Sequence, residues 1–211
     1  MALHHPRRLA GIRFPSSRRT SGEGAAADQT AARDEAAPSA VALARTAAVL
    51  RVLTAFTFLW AFFDKAFGWG YATGAGKGWI DGGSPTLGFL SGVSAGPMEG
   101  TFHAWAGDAW ADRAFMLGLL GVGVALASGI ALRLAAGAGM AMMALMWVAE
   151  WPPARHLSDG SPSTSTNPFI DYHVLYAAIL VLLAVAAAGR TWGLGIAWAR
   201  LPLVRGHRWL L

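Results

Sequence analysis

The sequence predicts an all-α integral membrane protein: an antiparallel four-transmembrane-helix bundle with both termini cytoplasmic and a long folded outer loop between helices 1 and 2. Three observations lead there. Hydrophobic residues make up 55% of the 211 and charged residues only 14%, which is far from an ordinary soluble domain. The apolar residues fall into three blocks nearly free of charge, 52–63, 114–149 and 172–189. Basic residues collect on one side of the topology these blocks imply.

A bilayer core of about 30 Å needs about 20 apolar residues per helix. As one helix, 114–149 would be about 54 Å long, too long for one crossing. It holds a single charge, Arg133, and is therefore read as two helices turning there. The spans are 43–67, 114–132, 134–151 and 170–189. With four spans, the termini and Arg133 share a side that carries thirteen basic residues and four acidic ones. The other side carries four basic residues (Lys65, Lys77, Arg113, Arg155) and eight acidic ones. The first side is cytoplasmic by the positive-inside rule, so the net charge of +5 reads as membrane topology and not as a nucleic-acid footprint. Arginine outnumbers lysine 15 to 2, which points to a GC-rich bacterial genome and a plasma membrane.

Along the chain, residues 1–38 are rich in Arg, Ala, Ser and Gly without apolar periodicity, and read as a disordered basic cytoplasmic tail. The Arg7-Arg8 pair has no apolar region close behind it and is not a twin-arginine signal. Residues 39–190 form the membrane domain, its first helix starting after Pro38 with Ser39 as cap. Arg51 snorkels toward the inner surface, whereas Asp64 is too short to do so. The outer segment 69–110 is glycine-rich yet carries Trp79, Phe89, Phe102, Trp105 and Trp110. A flexible linker would not carry that aromatic surface, so it reads as a loop folded on the membrane, with "PTLGFL" as a short interfacial helix. The second outer loop, 152–169, reads as a polar connector. Residues 191–211 interleave Trp with Arg and read as a basic-aromatic tail on the inner membrane surface.

Several segments bring chemistry to the outer boundary. Span one ends with Asp64, Lys65 and Trp69, and span three with Glu150 and Trp151. Span four opens with Asn167, Asp171 and His173, and His103 hangs from the first loop. Reducing a quinone takes up two protons and oxidising a quinol releases two, so carboxylates and imidazole at that depth suit quinone chemistry. Asp171, His173 and Glu150 are the catalytic candidates, Lys65, Asp64 and Arg113 the substrate-binding ones, and Trp69, Trp151 and Asn167 the groups flanking quinone. A structural reading stands beside this one: Asn167 caps a helix with Pro168 at its first position, and Asp171 answers the helix dipole. His103, His156 and His173 share no metal-ligand spacing, and no metal is expected. No histidine falls mid-span, so no b-type haem is expected. The chain has no cysteine, which excludes disulfides, iron–sulfur ligation and c-type haem attachment. Glycines in "GLLGVGVALASG" and "AAGAGMA" suit close helix packing.

The stretches "LRVLTAFTFLWAFFDKAFGWGYATG", "SPTLGFL", "FMLGLLGVGVALASGIALRLAAGAGMAMMALMW" and "NPFIDYHVLYAAILVLLAVAAAGRTWGLG", from about Arg45 onward, together resemble the DoxX/DoxD family of four-helix bacterial membrane proteins. The resemblance implies a quinone-linked subunit that oxidises thiosulfate to tetrathionate, uses ubiquinone- or menaquinone-type quinone as a diffusible co-substrate and holds no haem, flavin or metal. It also implies a small DoxA-like partner subunit; self-association in the bilayer is a further expectation. The matching positions are Asp64-Lys65, Asn167-Pro168, Asp171 and His173. Two positions depart from the family pattern: Tyr172 stands where a second acidic residue is expected, and Glu150 where a neutral residue is usual. The rival reading is a non-enzymatic membrane anchor or assembly subunit for a soluble redox partner.

Overall fold

The computed structural model describes residues 21–211, with side chains from residue 38 onward except that of Arg208. Residues 1–20, including the Arg7-Arg8 pair, lie outside the described residues. The chain divides into two compact units, Met1–Val41 and Ala42–Leu211, and every contact below lies within the second. The described residues are helical without strands, apart from one isolated bridge between His156 and Pro162.

Helix α1 spans Ser21–Phe67 with Pro38 inside it, which corrects the expected start at Ser39. The alanine-rich stretch before Pro38 favours helix strongly enough to carry the chain into the proline already wound. Two short helices follow in the glycine-rich loop, α2 (Leu87–Ser91) and α3 (Glu99–Trp105). The first of these is the expected "PTLGFL" helix.

Helix α4 spans Ala109–Ser128 and α5 Leu132–Glu150, so the turn between them falls at 129–131 and not at Arg133. Gly129 adopts φ 75° and its N–H closes back on Ala125, as does that of Ile130. A glycine in the left-handed region is the ordinary helix stop, and it acts before the charge is reached. Trp151, also left-handed at φ 38° and followed by Pro152, ends α5.

Helix α6 covers only Tyr172–Val185, 14 residues, or about 21 Å. It ends at a left-handed Ala187 and a short turn over Ala188–Arg190. Helices α7 (Gly195–Arg200) and α8 (Pro202–Arg205) complete the chain. Among the described residues three helices are long and apolar enough to cross a membrane, Pro38–Phe67, Ala109–Ser128 and Leu132–Glu150; α6 is apolar but shorter than the expected span 170–189.

The long helices pack around Phe58, Met116, Leu119, Val122, Leu126, Met143, Leu180 and Leu183. Their outward faces expose Phe56, Leu117, Val124, Leu134, Leu145 and Val185. A water-soluble bundle would cover such a surface, whereas lipid accepts it. Three glycines act as expected: Gly118, Gly123 and Gly139 admit Met142, Leu59 and Leu180 at their Cα atoms, while Gly121 and Gly137 face open space.

Arg51 corrects another expectation. It does not snorkel but is fully buried. One guanidinium nitrogen, Nη1, donates to the Leu126 and Ala127 carbonyls, and Nη2 donates to that of Trp192 at 2.9 Å. These carbonyls include the unsatisfied end of α4, where a cation meets the negative pole of the helix. Gly129 and Gly189 cross in main-chain contact beside it. At this end the Arg133 N–H also bonds the Leu211 carbonyl. The opposite end of the helices carries the loops.

Candidate functional site

The end of α5 and the start of α6 meet at the loop end. Asp171, not Asn167, caps α6: its Oδ1 accepts from the Val174 N–H at 3.2 Å. Asn167 instead closes a local turn, its Oδ1 accepting from the Phe169 and Ile170 N–H groups. A carboxylate at this position meets both the free N–H groups and the positive pole of the helix. The other oxygen of Asp171, Oδ2, lies 2.8 Å from Nδ1 of His173. An ionised carboxylate only accepts, so Nδ1 donates and the neutral ring keeps a lone pair on Nε2. His173 is 1% exposed, and its Nε2 has no partner among the described residues. A carboxylate that fixes one imidazole nitrogen and leaves the other free is the arrangement of a positioned general base.

Glu150, the last residue of α5, joins this pair. One donor atom each from Glu150, Asp171 and His173 lie within 4.8 Å of one another. The three expected catalytic residues are thus brought together, at a spacing one cation could bridge. Tyr172 completes the group, its hydroxyl donating to Oε1 of Glu150 at 2.5 Å. The sequence marks both Tyr172 and Glu150 as touching the site but not as partners of each other.

Glu150, Asp171 and Tyr172 line a cavity of about 730 Å³, together with Asn167 and the apolar Phe89, Val93 and Ile170. Its walls come from both loops, which are tied together: the Ser158 hydroxyl lies 2.7 Å from the Ser94 carbonyl and 2.6 Å from Oε2 of Glu99. The second loop is therefore more than a polar connector. His103 does not reach the site; its Nε2 donates to the Val93 carbonyl at 2.7 Å.

The remaining candidates lie elsewhere. Asp64 is buried and spent on the chain that follows it, Oδ1 accepting from the Tyr71 N–H and Oδ2 from those of Ala72 and Thr73. Lys65 lines a second, larger cavity of about 890 Å³ that shares Gly88, Phe89 and Ala149 with the first. Arg113 is exposed and lines neither cavity. Trp69 stacks in an aromatic group with Trp60, Phe63 and Phe67. Trp151 packs on Gly96 and on the edge of Trp147. Neither Trp lines a cavity.

One organising residue escaped sequence reasoning. Asp112, buried in the first turns of α4, accepts on Oδ1 from the Ser84 hydroxyl and from the Thr86 hydroxyl and N–H. It pins the loop across 26 residues, a separation no local pattern signals.

No family model matches the chain, and neither the curated proteins nor the solved structures yield a match.

Proposed function

We propose that this chain is the quinone-interacting subunit of a membrane oxidoreductase of the DoxX type, which passes electrons from thiosulfate or a related small sulfur compound to membrane quinone. The observation that carries the proposal is the Asp171–His173 pair, hydrogen-bonded at 2.8 Å: Asp171 lines a cavity whose walls are part apolar and part titratable, and the buried His173 is held by it without lining the cavity. At about 730 Å³ the cavity is within the range of small-molecule sites, about 300–1,000 Å³. Phe89, Val93 and Ile170 offer the apolar surface a quinone ring requires.

Quinone reduction consumes two electrons and two protons; joining two thiosulfates through a new S–S bond releases two electrons. The chain's own residues handle the protons. Asp171 orients the His173 ring through Nδ1 and stabilises its charged form, so that Nε2 can take up and return a proton. Glu150 is exposed and exchanges protons with water, while the Tyr172 hydroxyl holds its carboxylate in place.

In this reading α6 serves as a fourth crossing together with its flanking turns. In the same reading the termini and the 129–131 turn face the cytoplasm of a bacterial plasma membrane, which the distribution of basic residues supports. A second reading is favoured by one feature. Two carboxylates line the cavity, and they repel a dianion such as thiosulfate. A soluble DoxA-like partner would then deliver the electrons and this chain would anchor it. Extraction in mild detergent separates the two. A quinone-handling subunit retains about one quinone per chain, lowered in Asp171→Asn. An anchor retains a protein partner and no quinone, which would overturn the proposal.

A further inference from the structure

The larger cavity has a different chemistry from the one assigned above. Its inner wall is built from membrane helices: Phe115 of α4 and Met142, Leu145 and Met146 of α5. Its mouth is built from the glycine-rich loop, with Lys65 at the end of α1 and Lys77 from the loop. Lys65 is half-buried, yet its ammonium forms no hydrogen bond or ion pair among the described residues. Its neighbour Asp64 attracts it through space but forms no ion pair with it, both Asp64 oxygens being turned to the N–H groups of Tyr71, Ala72 and Thr73. The one other charge lining the cavity, Asp81, is exposed on the rim.

A partly covered ammonium that no protein group accepts from is open to a ligand that supplies an acceptor. The apolar wall below it, continuous with the lipid-facing helices, asks for hydrocarbon. We infer that this cavity binds an anionic amphiphile, its oxygen-bearing head on Lys65 and Lys77 and its acyl chain along Phe115, Met142, Leu145 and Met146. A free inorganic anion shares the head chemistry but leaves the apolar wall unused. The inference is independent of the redox proposal, since none of the proton-handling residues lines this cavity.

The test is native mass spectrometry of the full chain in neutral detergent, titrated with dioleoylphosphatidylglycerol, with dioleoylphosphatidylcholine, and with inorganic phosphate as competitor. The expected result is at least tenfold preference for phosphatidylglycerol, abolished in Lys65→Met, kept in Lys65→Arg and raised in Asp81→Asn. A photoreactive phosphatidylglycerol should label residues 142–149. Millimolar phosphate should not displace the lipid. Equal retention of the two lipids, or a preference unchanged in both Lys65→Met and Asp81→Asn, would overturn the inference. So would displacement by phosphate at lipid-like concentrations, which would make this a free-anion site.

Discussion

The Tyr172 hydroxyl donates to Glu150 Oε1 at 2.5 Å, which ties the first residue of α6 to the last residue of α5. The tyrosine supplies the donor and the glutamate the acceptor. Tyr172→Phe and Glu150→Gln should each weaken the join between α5 and α6, and together cost less than the sum of the two. A double-mutant cycle in thermal unfolding should give a coupling of about 0.5–1.5 kcal/mol. Strict additivity would show the bond to be unimportant.

Asp171 has two duties that substitution can separate. Asparagine still caps, accepting from the Val174 N–H, whereas alanine does not. Asp171→Ala should therefore lose about 0.5–2 kcal/mol of stability and Asp171→Asn much less, as read by unfolding in detergent. Equal losses would mean that the carboxylate charge, not the cap, holds the start of α6.

Arg51 satisfies three carbonyls from within the packed helices. Arg51→Met leaves the Ala127 and Trp192 carbonyls without the Arg51 donor, and that of Leu126 with only the Gly129 N–H, and should cost about 3 kcal/mol or more. Lysine should rescue little, because a single ammonium lacks the planar fork that reaches two chain segments at once. The measurement is yield of folded protein and melting temperature; a wild-type melting temperature in either variant would contradict this role.

Gly129 and Gly189 touch through their main chains, and a Cβ on Gly189 would run into the Gly129 carbonyl. Gly189→Ala should reduce folded yield severely. Gly137→Ala, in the same class of substitution but facing open space, should be neutral or stabilise by up to about 1 kcal/mol. Similar behaviour of the two would mean that the crossing tolerates separation.

What the sequence conveyed follows from the range of the forces involved. Apolar block length marked α4, α5 and the membrane part of α1, because burial in lipid is a property of contiguous residues. Boundaries were less legible. Gly129 stops α4 before Arg133 does, and the stretch before Pro38 is helical although nothing in its polarity demanded it. The proximity of Asp171, His173 and Glu150 could be expected because a bundle folds successive helix ends to a common depth. Asp64 and Asp112 were misassigned or missed for one reason: their partners are main-chain N–H groups and hydroxyls of loops, which carry no sequence signature. Arg51 looked free to snorkel because its acceptors are carbonyls from residues 75 to 141 positions away.

On the function proposed above, the Asp171–His173 pair moves protons for quinone reduction. The most direct measurement is thiosulfate-dependent quinone reduction in proteoliposomes, comparing wild type with Asp171→Asn and His173→Ala after each variant is shown to be folded. The account predicts activity in wild type and a loss of at least about 100-fold in each variant, the scale of a general acid–base contribution. Activity in the variants equal to wild type, or none in wild type even with a small partner subunit added, would contradict it.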